Sequence, residues 1–299
     1  MTAAIIQLMV IQVALPAAFI IALWRKSFHS RLEWLVEALF TVLFVIGLFV
    51  RSPWDWLSYY LRYVWMILMI AAIYRSWKKG RVLPFRIKYR RGQKWSLGIY
   101  VILLLFLGLN NVWAFSGFTT DDSPIELGFP LKDGTYYVGQ GGNSVQINYH
   151  NAYPPQKYAL DIVKLNGLGM RAGGIYPKEL NRYAIYGEAL YSPCSGKIIE
   201  ARHDLPDLIP PEADSGNPEG NYVNIRCDDG NVNVIIAHMQ EGSSSVEVGE
   251  MVQQGQDIGF VGNSGNTTEP HLHIHAEKDG EGVPIEFDGR FLKRNSLVR

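Results

Sequence analysis

Four long apolar runs fill the first 115 residues and constrain the fold more than any other feature of the sequence. Each run approaches the ~20 residues that a helix needs to cross a bilayer. Glu37 and Arg62 are the charged side chains within them. A soluble helical core would carry more charge than this, so the runs predict transmembrane helices at about residues 3–24, 34–50, 57–74 and 97–115.

The start of the first run and a charge inside the third run both bear on the membrane prediction. A secretory signal peptide begins with basic residues, whereas residues 1–24 carry no charged side chain. We therefore expect the first helix to be retained. The third run is the weakest of the four, because Arg62 lies a few residues inside it and a charge within a bilayer costs a few kcal/mol unless it pairs or reaches the interface.

Charge divides the chain into two regions with different surroundings. Residues 1–115 hold 14 Lys and Arg against 3 Asp and Glu, a net charge of +11, whereas residues 116–299 hold 14 against 25, a net charge of −11. Nine of the basic residues lie between the third and fourth runs with no acidic residue among them. The positive-inside rule places that loop in the cytoplasm. Topology explains this charge without a nucleic-acid partner, so we expect none.

This orientation predicts a multi-pass protein of the cytoplasmic membrane, with the lipid bilayer as a partner and residues 116–299 on the extracytoplasmic side. Residues 116–144 are predicted to form a linker and the lead-in to the domain that follows. Beyond them, short β-branched and aromatic segments alternate with Gly, Asn, Asp and Pro, which predicts a mostly antiparallel all-β domain over residues 145–299. The predicted strands are Val145–Tyr149, Tyr158–Lys164, Lys197–Arg202, Tyr222–Arg226, Val232–His238, Asp257–Val261 and His271–Ala276.

The two cysteines, Cys194 and Cys227, both lie in this exported region. An oxidising compartment permits a disulfide between them. The alternative is a pair of buried free thiols. Their spacing does not fit a cysteine-based zinc site, which needs paired cysteines.

Three histidines alternate in Pro270-His-Leu-His-Ile-His275. On a strand, side chains alternate between faces, so His271, His273 and His275 share one face. Neutral imidazole is a good zinc ligand. An exposed histidine-rich strand is the simpler alternative for this motif alone.

Asp161, in the middle of an apolar strand, is costly to bury unless it is paired or metal-bound.

Taken in order, three motifs resemble those of the lysostaphin-type zinc endopeptidases, which cut peptide links in bacterial cell walls. The first is Ser192-Pro-Cys-Ser-Gly196, and the second is Ala237-His238 followed by a series of glycine turns. The third is Gly262-Asn-Ser-Gly265 leading into Pro270-His-Leu-His-Ile. The resemblance covers about residues 145–285 and implies a β peptidase domain of the duplicated-hybrid-motif type.

The resemblance also implies roles for individual residues. His273 and Asp161 correspond to ligands of one Zn²⁺, and His238 and His271 correspond to the pair that activates water and steadies the tetrahedral intermediate. This sequence departs from the family pattern at Lys157, where a histidine ligand is usual. We expect His150 to replace that ligand by folding back beside the start of the Asp161 strand, where neighbouring strands lie ~5 Å apart.

The leading hypothesis is a membrane-anchored zinc metalloendopeptidase that acts on peptidoglycan peptides. Two alternatives stay open: a catalytically inactive binding or regulatory module, because of Lys157, and a peptidase for exported proteins, because an acidic domain does not favour an anionic wall polymer. A biotinyl or lipoyl carrier would need a lysine at a hairpin tip, and none lies between Lys197 and Lys278. The oligomeric state cannot be read from the sequence.

Overall fold

The computed structural model describes residues 2–299, which divide into two compact units. The helical unit contains the residues up to Trp54 together with Tyr60–Phe115. The β unit contains Ser116–Arg299 together with a short separate segment, Asp55–Tyr59. The chain therefore passes between the two units three times.

The helical unit is built from five α-helices. The first two are joined by a π-helical turn, Val10–Ala14, into one continuous rod. The third begins where the side chain of Ser30 accepts a hydrogen bond from the Glu33 backbone N–H at 3.1 Å, a capping arrangement that satisfies an otherwise unpaired donor. The helices are α1 Thr2–Met9, α2 Leu15–Arg25, α3 Arg31–Arg51, α4 Leu61–Gly80 and α5 Arg91–Ser116.

Within residues 2–299, three helical stretches are long and apolar enough to cross a membrane: Ala3–Arg25, Arg31–Arg51 and Arg91–Ser116. The third predicted run, residues 57–74, differs from expectation. Its helix, α4, begins four residues later and ends at Gly80, beyond the basic residues Lys78 and Lys79. Arg62 lies in the first turn of α4 with its guanidinium 3.7 Å from the centroid of the Phe49 ring, a cation–π contact that compensates its burial.

The β unit is mostly antiparallel, as the sequence predicts. The strands are β1 Ile125–Glu126, β2 Tyr136–Gln140, β3 Leu160–Lys164, β4 Ala189–Tyr191, β5 Gly196–Arg202, β6 Asn221–Cys227, β7 Asn233–Met239, β8 Met251–Val252, β9 Asp257–Phe260, β10 Leu272–Lys278, β11 Glu281–Val283, β12 Ile285–Phe287, β13 Arg290–Phe291 and β14 Leu297–Val298. The largest sheet has the strand order β14-β2-β3-β10-β7-β6-β5-β8, with β11 paired to β10, and smaller sheets are formed by β1-β12-β13 and by β4-β9. The pair β1–β12 is parallel.

Six of the seven predicted strands are present with small shifts at their ends, and Val145–Tyr149 is wrong. That segment forms turns that lead into two short 3₁₀ helices, Tyr149–Ala152 and Pro154–Gln156. The cause is Asn148, whose buried side chain donates hydrogen bonds to the backbone carbonyls of Gly142 and Ala159 at 3.0 and 3.1 Å. Side-chain bonds of this kind compete with a strand ladder. Residues 116–144, assigned to a linker and lead-in, contribute β1 and β2.

The core of the β unit depends on strand alternation. In β10, Leu272, Ile274 and Ala276 point into the main apolar cluster and are almost fully buried. His273 and His275 therefore occupy the opposite face of the same strand. The expected disulfide is present: Cys194, just before β5, is bonded to Cys227 in β6.

The segment Asp55–Tyr59 is built into the β unit by its backbone. The Arg171 N–H donates to the Asp55 carbonyl, and the Tyr59 N–H donates to the Gly169 carbonyl, both at 2.8 Å. The Asp55 carboxylate has no exposed surface and pairs with the Arg171 guanidinium, which lies 4.5 Å from the Trp56 ring centroid. The sequence predicts a transmembrane run over residues 57–74 and carries no sign that residues 55–59 belong to the β domain.

We expect Asp55→Ala to destabilise the β unit by about 3–5 kcal/mol, because it leaves the Arg171 charge buried without its partner. The double variant Asp55→Ala/Arg171→Met removes both charges and should recover part of that loss. Urea unfolding of the full-length protein in detergent measures both effects. Asp204→Ala is the matched control, because it breaks a solvent-exposed ion pair with Arg202 and should leave the unfolding midpoint unchanged. An equally small effect of Asp55→Ala would show that the buried pair does not hold this segment.

Candidate metal and catalytic site

The candidate site lies where β3, β10 and β7 run side by side. His273 on β10 is the register partner of Asp161 on β3 and of Ala237 on β7. The residue after Ala237 is His238, so this register brings it next to the same point. Strand pairing thus collects residues that are more than 100 positions apart in the sequence.

Asp161 is the centre of a first cluster. The nitrogen Nδ1 of His273 lies 2.9 Å from Asp161 Oδ1. The nitrogen Nε2 of His150 lies 3.1 Å from each carboxylate oxygen. All three residues are buried. One ligand atom from each of them lies within 4.8 Å of the others, so the group can hold a metal ion.

His150 reaches this cluster by a different route from the expected one. It lies in the 3₁₀ helix Tyr149–Ala152 instead of at the end of a strand. Its Nδ1 is 3.2 Å from Gln156 Oε1. A proton on Nδ1, donated to that oxygen, would leave the Nε2 lone pair for a metal ion, whereas without a metal Nε2–H donates to the Asp161 carboxylate. Lys157, at the position where a histidine is usual, is half-exposed and faces Asp122, with 3.1 Å between Nζ and Oδ2.

The donor set fits zinc. Tetrahedral Zn²⁺ binds imidazole and carboxylate at about 2.0–2.2 Å, which separates neighbouring ligand atoms by roughly 3.3 Å. The distances of 2.9 and 3.1 Å around Asp161 need little adjustment to meet this value. Three protein ligands leave a fourth position for water or substrate, the arrangement typical of catalytic zinc.

His238 and His271 form a second group beside the first. Their ring centroids lie 4.9 Å apart. Each Nδ1 is 2.9 Å from a backbone carbonyl, that of Ser264 for His238 and that of Glu269 for His271. A carbonyl only accepts, so both rings carry their proton on Nδ1 and have Nε2 available. His271 Nε2 lies 3.4 Å from Asp161 Oδ1 and, among residues 2–299, has no hydrogen-bond partner.

Backbone strain marks His238. Its φ is +61°, a left-handed conformation that is rare outside glycine and asparagine and costs on the order of 1–3 kcal/mol. The turn that holds its Ser264 partner is closed by Gly265, whose φ is +82° and whose missing side chain leaves room for the Gly220 backbone. The surrounding backbone therefore fixes the direction in which the His238 ring points.

The electrostatics separate the two catalytic candidates. Burial lowers the pKa of His238 well below its ordinary value, and the neighbouring rings of His271 and His273 add to the effect. Burial also acts to lower the pKa of His271, but the nearby Asp161 carboxylate outweighs it and raises that pKa. For Asp161, burial opposes ionisation, yet His150 and His271 hold its pKa well below the ordinary range.

A cleft of about 210 Å³ opens onto His150, His238 and His273. Sequence reasoning missed several residues of its wall: Tyr149, Tyr153, Gln156, Pro218, Glu219 and Asn266. The hydroxyl of Tyr149 donates to Asp161 Oδ2 at 3.3 Å, so this residue touches the candidate metal ligands directly. The proximity of Tyr149, Tyr153 and Gln156 to His150 in the sequence was the one available signal.

Residues 181–285 match the family model described as Peptidase family M23. The matched range includes His238, His271 and His273. It does not include His150 or Asp161.

Several solved structures are similar to parts of this chain. A zinc-containing peptidase from Vibrio cholerae is 20% identical over 54% of this chain and 39% of its own, with a TM-score of 0.32. A putative peptidase M23 from Pseudomonas aeruginosa is 16% identical over 67% of this chain and 63% of its own, with a TM-score of 0.32. The catalytic domain of lysostaphin from Staphylococcus simulans is 26% identical over 43% of this chain and 82% of its own, with a TM-score of 0.23. The chain spans less than two thirds of the first two proteins.

The metal-free protein should lose stability as the pH falls from 7.5 to 5.5. Burial lowers the pKa values of His238, His273 and His275, so the unfolded chain binds protons at these positions before the folded chain does. His271 has the opposite effect because its pKa is raised: it stabilises the folded protein fully below about pH 6.5 and less as the pH rises above that value. Asp161, with a depressed pKa, stabilises it throughout this range and loses its effect only below about 4. The loss of stability from the three histidines with lowered pKa values exceeds the gain from His271.

Each net proton is worth about 1.4 kcal/mol per pH unit. Urea midpoints measured with a chelator present test this expectation. His275→Gln should reduce the pH dependence, and His203→Gln, in an exposed loop, should not. A midpoint that stays flat or rises on acidification would contradict it.

Proposed function

We propose that this chain, in which residues 181–285 form a peptidase family M23 domain, is a membrane-anchored zinc metalloendopeptidase that hydrolyses peptide bonds of cell-wall peptidoglycan. One observation carries the proposal. His150 Nε2 and His273 Nδ1 lie 3.1 and 2.9 Å from Asp161 Oδ1. Beside this group lie two histidines whose Nε2 atoms are available.

In this proposal His150 Nε2, Asp161 Oδ1 and His273 Nδ1 hold one Zn²⁺. Zinc, when bound, lowers the pKa of water towards ~7 and polarises a peptide carbonyl. Gln156 supports the set by fixing the proton of His150 on Nδ1, and the Tyr149 hydroxyl supports it by donating to the second oxygen of Asp161. Such supporting contacts orient ligands and tune their basicity.

His271 and His238 handle the protons. His271 Nε2 lies beside the ligand Asp161 and has no hydrogen-bond partner among residues 2–299, so it takes the proton of the attacking water and passes it to the leaving amine. His238 stays neutral and accepts the other O–H of the same water at Nε2, which orients the oxygen towards the carbonyl. The carbonyls of Ser264 and Glu269 keep both rings in the tautomer that these roles need.

The cleft supports a peptide substrate. Exposed aromatic rings of Tyr149 and Tyr153 flank it, and such rings bury large area against an extended chain. The net charge of −11 over residues 116–299 does not favour capture of an anionic polymer, so the cleft itself has to select the peptide. The same charge keeps a peptidase for exported proteins as a second candidate.

A membrane anchor with four crossings is part of the proposal. Residues 55–59 and 116–299 belong to one compact unit and so lie on one side of a bilayer. The chain between them must cross an even number of times. Since α5 is long and apolar enough to span, α4 has to span as well. The basic loop between α4 and α5 then faces the cytoplasm and the β unit faces outward.

We expect His150→Ala to remove zinc, because two protein ligands do not hold the ion tightly. Lys157→Ala is the matched control: this side chain faces Asp122 and should leave zinc content unchanged. His271→Ala should keep zinc and lower hydrolysis of purified peptidoglycan by about 10²–10⁴-fold, the usual contribution of a general base. Metal analysis after dialysis and the release of soluble wall fragments measure these effects.

Full zinc content in His150→Ala would exclude that residue as a ligand. Two further outcomes discriminate between the candidate functions. Zinc-loaded wild-type protein that cuts neither peptidoglycan nor an unfolded protein would favour a non-catalytic binding or regulatory module. Cleavage of the unfolded protein alone would favour the second peptidase candidate.

Reporter fusions test the orientation. A reporter active only in the cytoplasm should work when inserted after residue 84, and one active only after export should work when fused after residue 299. The reverse pattern would contradict the proposed topology, and two cytoplasmic signals would contradict the fourth crossing.

A further inference from the structure

His275 is a buried histidine to which the proposed mechanism gives no task. It lies two residues after His273 on the same face of β10, and its side chain is 4% exposed. Its Nδ1 is 3.0 Å from Nε2 of His273, the ring nitrogen that points away from Asp161. At this depth little water competes for the contact, so the hydrogen bond between the two rings controls which nitrogen of His273 carries a proton.

Whenever no metal is bound, the Asp161 carboxylate fixes the direction of this hydrogen bond. An ionised carboxylate only accepts, so His273 must donate from Nδ1 to Asp161 Oδ1 across 2.9 Å. The neutral ring then has a lone pair on Nε2, which accepts from Nδ1–H of His275. The donors run in one direction, from His275 through His273 to Asp161.

Metal binding requires the opposite arrangement. A ligand nitrogen has to present a lone pair, so Nδ1 of His273 gives up its proton and the neutral ring carries one on Nε2 instead. That new N–H is buried and needs an acceptor, since an unpaired buried donor destabilises the folded protein. The one partner that residues 2–299 offer to this nitrogen is Nδ1 of His275, which becomes an acceptor when the His275 proton moves to Nε2.

We propose that His275 is a positioning residue that lets His273 exchange its tautomer when the metal binds. Both rings move their proton from Nδ1 to Nε2, and neither gains nor loses one, so no charge has to be created in the buried strand. His275 suits this task because one atom, Nδ1, donates in the metal-free state and accepts in the loaded state. The inference rests on the proposed function, in which His273 Nδ1 binds zinc.

Two substitutions separate this role from simple packing. His275→Leu fills much of the same volume and cannot hydrogen bond, so zinc affinity should fall by about 10–100-fold, the usual effect of losing a partner of a metal ligand. His275→Gln can donate from its amide nitrogen or accept at its amide oxygen, and it should keep the affinity within a few-fold of wild type. Chelator competition with zinc on the full-length protein in detergent measures both.

A spectroscopic readout tests the tautomers directly. In ¹⁵N-histidine-labelled full-length protein, His273 and His275 should carry their protons on Nδ1 without metal and on Nε2 with zinc. His203, in the exposed loop before β6, should show no zinc-dependent change and serves as the internal control. This measurement also decides the matter if His275→Leu does not fold.

Failure of this inference and failure of the proposed function are distinguishable. Wild-type protein that binds no zinc overturns the proposed function and this inference with it. Zinc binding by wild type with unchanged affinity in His275→Leu overturns the role of His275 alone. Tautomers of His275 that are the same with and without zinc overturn it too.

Discussion

The buried carboxylate of Asp161 is the group on which the rest of the site depends. A carboxylate among apolar neighbours is costly unless positive or hydrogen-bonding groups surround it. Here His150 and His273 contact its oxygens, and His271 Nε2 lies 3.4 Å from Oδ1, close enough to stabilise the negative charge. Because these residues come from a 3₁₀ helix, from β10 and from the turn before it, satisfying one carboxylate requires all three elements to be in place.

Division of labour among the histidines follows from which nitrogen each one has available. The backbone carbonyls of Ser264 and Glu269 take the Nδ1 protons of His238 and His271, and neither carbonyl titrates. For His273 the proton position depends on two side chains, the ionised Asp161 carboxylate and the His275 ring, and the proton of His275 can move between its two nitrogens. In the proposed mechanism, the two rings held by the backbone handle the water, and the ring held by side chains moves its proton to Nε2 so that Nδ1 can bind the metal ion.

Much of this arrangement could be predicted from the sequence, because strand alternation is a strong local signal. The His271-Leu-His273-Ile-His275 pattern fixes which face of β10 carries the imidazoles, and the apolar neighbours of Asp161 mark it as unusual. His150 could be proposed only as a nearby substitute for the residue missing at Lys157. Its position in the 3₁₀ helix Tyr149–Ala152 depends on the hydrogen bonds of the Asn148 side chain, and individual side-chain bonds of this kind leave no periodic trace in the sequence.

Asp55–Tyr59 escaped prediction for a similar reason, since its partners are more than 100 residues away and the segment is too short to show a pattern. Its place in the β unit changes what a proteolytic cut would do. Cleavage of the chain between α5 and β1 would normally separate two such units. Here the β unit would stay attached through the backbone hydrogen bonds and the Asp55–Arg171 pair, because five residues of its own fold remain covalently part of the helical unit. Release would require that segment to be pulled out of the β unit, which exposes the buried Arg171 charge. The β unit is therefore retained by its own folding stability as well as by the chain that follows α5.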